Sequence, residues 1–76
     1  MNNAQKTVRE IVDSKSKNEW EYLIDQWIHD ERARAMLKRH LLDGVSIQEV
    51  SEAFNLSWVQ TQHILQTNRA KLFKHI

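Results

Sequence analysis

The stretch Gly44-Val45-Ser46-Ile47-Gln48-Glu49-Val50-Ser51-Glu52-Ala53-Phe54-Asn55-Leu56-Ser57-Trp58-Val59-Gln60-Thr61-Gln62-His63-Ile64-Leu65 decides the fold. Ser46 precedes Glu49 by three residues, and Ser57 precedes Gln60 by three. Both pairs match the capping box, in which a hydroxyl and a side-chain carbonyl or carboxylate satisfy the unpaired N–H groups of a starting helix. Each cap is typically worth ~1 kcal/mol. Between the two starts lies Asn55, a residue type that tolerates left-handed backbone and so can end one helix and turn the chain into the next. The spacing therefore predicts a helix-turn-helix over 46–74, a motif whose second helix, here 58–74, enters the DNA major groove in proteins that read bases.

Upstream of this stretch, Asp30 is placed to cap a helix from Glu31 to Leu42, with Glu31 at its positive end and Lys38, Arg39 and His40 at its negative end. Ala33, Met36, Leu37, His40 and Leu41 form its inward stripe, and Gly44 supplies the positive φ of a C-terminal cap. Before it, Asn18 is a plausible cap for a helix in which Trp20, Leu23, Ile24, Trp27 and Ile28 recur at i, i+3, i+4, i+7 and i+8. Two indoles in so short a helix are first of all core anchors, since each aromatic buries ~150–250 Å². The sharper alternative is that Trp20 and Trp27 form a partner ridge, indole being enriched at interaction hot spots. Further upstream, Ala4, Val8, Ile11 and Val12 have helical spacing before the polar break Asp13-Ser14-Lys15-Ser16-Lys17. The expected organisation is an N-terminal segment, 1–17, with a short helix, and a single helical domain, 18–76.

In the first helix of the motif, Ile47, Val50, Ala53 and Phe54 are expected to point inward, and Gln48, Glu49, Ser51 and Glu52 outward. In the second, Thr61, Ile64, Leu65, Asn68 and Leu72 form the inward stripe. Trp58, Val59, Gln60, Gln62, His63, Gln66, Thr67 and Arg69 are left as its outer surface.

Composition narrows the classes. With no Pro, one Gly and abundant helix formers, the 76 residues predict an all-α fold, a small helical bundle of four to five helices containing the helix-turn-helix. A core of this size supplies only ~3–5 kcal/mol of net stability, and there is no Cys to staple it. His29, His40, His63 and His75 share no close ligand spacing, so neither a metal nor another cofactor is expected. No apolar run approaches the ~20 residues of a membrane span, and the N-terminus is too polar for a secretory signal, which predicts a cytoplasmic chain. The net charge of +1 is uninformative, but its distribution is not: from Asn55 to Ile76 the charged residues are Arg69, Lys71 and Lys74, with no acid. An enzyme is the weakest reading, because there is no Cys nucleophile, Gly-rich phosphate loop or convergent carboxylate pair.

Over roughly Asp30 to Phe73 the residues resemble the C-terminal, region-four domain of bacterial RNA polymerase sigma factors, the helix-turn-helix that recognises the promoter −35 element. The resemblance rests on Ala35-Met36-Leu37 in the leading helix and on Ser46-Ile47-Gln48-Glu49-Val50-Ser51-Glu52-Ala53-Phe54 in the first motif helix. It continues through the turn Asn55-Leu56-Ser57 and the tail Arg69-Ala70-Lys71-Leu72. The whole chain also resembles small stand-alone sigma-like proteins of Firmicutes and their phages, including its Trp27-Ile28 and Leu72-Phe73-Lys74-His75-Ile76 ends.

Position by position, the resemblance implies base contacts at Trp58, Val59, Gln62 and His63. It implies contacts to the DNA backbone near Gln66 and Arg69; Ser57, Lys71 and, on the leading helix, Lys38 and Arg39 are further candidates to meet phosphates. Where the family often has Arg and Glu at the start of the reading helix, this chain has Trp58 and Val59. Gln62 suits adenine and Val59 a thymine methyl. The resemblance implies promoter-like double-stranded DNA and RNA polymerase as partners. The alternative is a protein-interaction module that keeps the fold without strong DNA binding, either appropriating polymerase or forming a homodimer on Trp20 and Trp27, with Trp58 as a partner contact or packed back on the domain.

Overall fold

Five capped helix starts organise the chain in the computed structural model, which describes residues 7–76. Helix α1 (Val8–Asp13) begins at Thr7, whose hydroxyl accepts from Glu10 N–H while the Glu10 carboxylate accepts from Thr7 N–H. Val8, Ile11 and Val12 lie in or beside this helix as expected, and Ala4 lies outside the described residues. Helix α2 (Lys17–Trp27) starts at Ser16 rather than Asn18, because Ser16 and Glu19 form a complete capping box and place Asn18 inside the first turn. The earlier start also puts the Lys17 ammonium 3.0 Å from the Asp43 carboxylate.

Helix α3 (Glu31–Leu37) is capped by Asp30, whose carboxylate accepts from Ala33 N–H at 3.1 Å. The helix expected to run to Leu42 does so, but its last stretch, Lys38–Leu42, is a π-helical turn with Asp43 N–H reaching back to Lys38 O. Gly44 then adopts φ +71°, and the His40 Nδ1 lies 2.7 Å from Val45 O. A carbonyl only accepts, so Nδ1 carries the proton and His40 serves as a clamp on the turn. Helices α4 (Ile47–Ala53) and α5 (Trp58–Phe73) follow, each with the capping box read from the sequence.

The core consists of Trp20, Ile24, Ile28, Ala33, Met36, Leu37, Val50, Leu65 and Leu72, and α5 packs against α2, α3 and α4. The predicted stripe of the leading helix is buried at Ala33, Met36 and Leu37 and half-buried at His40 and Leu41. On α4 two assignments are corrected. Ala53 is exposed and Ser51 is buried, because the buried face runs Ile47, Val50, Ser51 and Phe54, the i, i+3, i+4, i+7 spacing of one helical face. Burial costs Ser51 little, since its hydroxyl donates to Gln48 O at 2.6 Å.

Trp20 ties α1 to this core: its indole N–H donates to Val12 O at 2.7 Å, and its ring lies 6.0 Å from that of Phe73. Among the described residues, no helix is long and apolar enough to cross a membrane.

Candidate nucleic-acid interface

The face of interest exists because the chain turns sharply between α4 and α5. Asn55 adopts φ 57°, Asn55 N–H bonds Glu52 O, and Leu56 N–H bonds Ser51 O at 2.9 Å. This pair of bonds is the Schellman arrangement, which satisfies the last carbonyls of α4 and redirects the backbone. Two residues later Ser57 restarts the helix. Its Oγ accepts from Gln60 N–H, and Gln60 Oε1 accepts from Ser57 N–H, both at 3.1 Å. Gln60 is therefore committed to the cap.

The inward side of α5 carries polar residues that are satisfied locally. Thr61, fully buried, donates its hydroxyl to Ser57 O at 2.9 Å, and the Asn68 amide donates to Ile64 O at 2.8 Å. With Leu65 and Leu72 these fix which side of α5 meets the core, and the opposite side is presented outward. Val59 is 69 % exposed and Trp58 44 % exposed, His63 and Gln66 are exposed, and Gln62 is half-buried. Gln62 and His63 each lie three or four residues from Val59 and from Gln66, which makes the four neighbours on one helix surface. Among the described residues, the side chains of Gln62, His63 and Gln66 have no hydrogen-bond partner.

The expected backbone-contact residues fare differently from one another. Lys71 is exposed, and Ser57 holds the cap. Arg39 is exposed, with its guanidinium 5.6 Å from the Phe54 ring centroid, a cation–π contact that links the leading helix to the end of α4. Arg69 is half-buried in a groove of about 500 Å³ that it shares with Arg9 and Asp13 of α1 and with His40 of the π turn. Lys38 is drawn the other way: its ammonium lies 2.8 Å from the Asp25 carboxylate and its side chain is only 31 % exposed, so it braces α2 against the leading helix. Sequence spacing gave no sign of that ion pair, whose partners come from different helices.

The two tryptophans suggested as a partner ridge are both occupied within the chain. Trp20 is 1 % exposed, at the centre of the core, which removes it from any outer surface. Trp27 is half-buried with its ring stacked on His75, centroids 3.7 Å apart and planes at 4°. Among the described residues the exposed large apolar side chains are Val8, Tyr22, Trp58, Val59 and Ile76, of which Trp58 and Val59 are adjacent in sequence.

Electrostatically, α5 and its tail carry cations only, whereas α4 carries the acids Glu49 and Glu52. Both are engaged, Glu49 with Ser46 and Glu52 with the Gln48 amide at 3.0 Å. Comparison of the chain with protein-family models, with curated proteins and with solved structures finds no match.

Proposed function

We propose that the chain is a double-stranded DNA-binding transcription regulator or sigma-like subunit, with α4 and α5 acting as a helix-turn-helix and α5 entering the major groove. The observation that carries this reading is the outer face of the first half of α5, where exposed Trp58, Val59, His63 and Gln66 adjoin half-buried Gln62 on a helix without acids. With side chains α5 is about 10–12 Å across, a match for a major groove about 12 Å wide, and its 16 residues run about 24 Å. Arg39, Lys71 and Lys74, all exposed, supply the phosphate-facing charge. The resemblance to sigma region four supports a promoter-like site in the cytoplasm and RNA polymerase as the protein partner.

A second reading draws on the adjacent exposed pair Trp58 and Val59, which also suits an apolar patch on a protein partner. Fluorescence anisotropy with random-sequence duplex DNA, repeated with added RNA polymerase, separates the two. The DNA reading expects affinity that falls with a log–log salt slope of about −3, as release of counterions by a few Lys and Arg contacts requires. Stable binding to polymerase with no DNA affinity at low salt, alone or in the complex, establishes the protein-interaction reading instead.

A further inference from the structure

Resting on the duplex-DNA reading, we propose that the α5 face is selective for A·T base pairs in the major groove, with Gln62 reading adenine and Val59 the thymine methyl. Each base edge demands a particular partner. Guanine O6 and N7 are read best by a bidentate Arg or Lys, cytosine N4 by a carboxylate, adenine N6 and N7 by Gln or Asn, and the thymine methyl by an apolar side chain.

The face is matched to the last two demands. Its members are Trp58, Val59, Gln62, His63 and Gln66, with no Arg, Lys, Asp or Glu among them. The nearest cation along the helix is Arg69, about 10 Å beyond Gln62 along the axis and half-buried against the α1 groove. The nearest carboxylates in the sequence, Glu49 and Glu52, belong to α4 and are held by Ser46 and Gln48.

Gln62 keeps both halves of its amide unengaged among the described residues, which a bidentate bond to adenine needs. Gln60, the other glutamine near the helix start, has its carbonyl oxygen committed to Ser57 N–H. Val59 is three residues before Gln62 and is the most exposed large apolar side chain of the helix. The pair can thus address neighbouring positions of one A·T-rich step. Charge complementarity with the duplex comes from the cation-only stretch Asn55 to Ile76, which attracts phosphate without carrying base information.

The test is site selection by the full chain from random duplexes at about 50 mM salt, where phosphate contacts are strongest. Substituted versions of the recovered duplex then probe the contacts. The recovered core is expected to consist of A·T pairs. Replacing the contacted thymine by uracil, which removes only the methyl, weakens binding about four-fold. Replacing the contacted adenine by 7-deaza-adenine, which removes N7, weakens it about ten-fold. Gln62→Ala loses the response to 7-deaza-adenine and keeps that to uracil, and Val59→Ala does the reverse. Since the modified groups are on the DNA, the primary result does not depend on whether a variant folds. A G·C core, or affinity untouched by both analogues, overturns the A·T assignment while the DNA reading stands. No binding to any duplex at low salt overturns both.

Discussion

The indole N–H of Trp20 donates to the carbonyl of Val12 across 2.7 Å, joining the first helix to the centre of the core. Trp20→Phe keeps a ring in place but strands the Val12 carbonyl, at an expected cost of about 1–3 kcal/mol. Trp20→Ala should cost about 3–5 kcal/mol, which matches the whole expected stability of a domain this small and leaves it unfolded at 25 °C. Urea denaturation followed by circular dichroism measures the first, and loss of the helical signal in buffer shows the second. Hydrogen exchange should show faster exchange at Ile11 and Val12 in Trp20→Phe.

Asn55 holds the turn with φ 57°, a region that β-branched side chains avoid. Asn55→Val is expected to destabilise by about 1–2 kcal/mol, whereas Asn55→Gly, which tolerates the same backbone, stays within about 1 kcal/mol of the wild type. Equal urea midpoints for Val and Gly at this position would show that the turn relaxes without the left-handed residue.

The Glu19 carboxylate accepts from Ser16 N–H, and that bond, followed by the Ser16 hydroxyl, lowers its pKa below the ordinary 4.5. A carboxylate with a lowered folded pKa stabilises the fold above its unfolded value and loses that contribution as pH falls through the folded one. The urea midpoint of Glu19→Gln should therefore lie a constant step below wild type from pH 7 down to about 5. The step should close below about 4.5. Lys17 has the opposite sign: the hydrogen bond and charge of Asp43 raise its pKa above 10.5, so its contribution is present below that value and lost on further alkalinisation.

Trp27 is stacked on His75 at 3.7 Å, so its indole is engaged within the chain. His75→Ala should change the Trp27 emission spectrum and cost about 0.5–1.5 kcal/mol. Trp27→Ala should sediment as wild type does. A Trp27→Ala variant that dissociates from a wild-type dimer would restore the indole as an interface residue.

Much of the architecture was legible because it rests on local chemistry. Ser46 with Glu49, Ser57 with Gln60, Asp30 as a cap, and positive φ at Gly44 and Asn55 are all decided within four residues. At the start of α2, Asn18 and Ser16 are both good caps, and only the reciprocal bond to Glu19 and the Lys17–Asp43 ion pair separate them. On α4 both Ala53 and Ser51 lie within a turn of Phe54, and the i, i+3, i+4, i+7 set from Ile47 places Ser51 on the buried face and leaves Ala53 exposed. A serine that bonds its own turn carries almost no burial cost.

What escaped the sequence was tertiary. The Lys38–Asp25 pair and the Trp27–His75 stack depend on partners that come from elsewhere in the fold. For the candidate face, the outward set on α5 followed from helical periodicity, but the half-burial of Arg69 did not, because it depends on where α1 docks.

The central claim is that the outer face of the first half of α5 is what meets DNA. Backbone amide shifts of the full chain, followed by NMR as a selected duplex is titrated in, test it most directly. The largest perturbations are expected at Trp58, Val59, Gln62, His63 and Gln66, with smaller ones at Arg39 and Lys71 and little change across α2. Saturable perturbations centred on α2 or α1, with α5 unmoved, would contradict it.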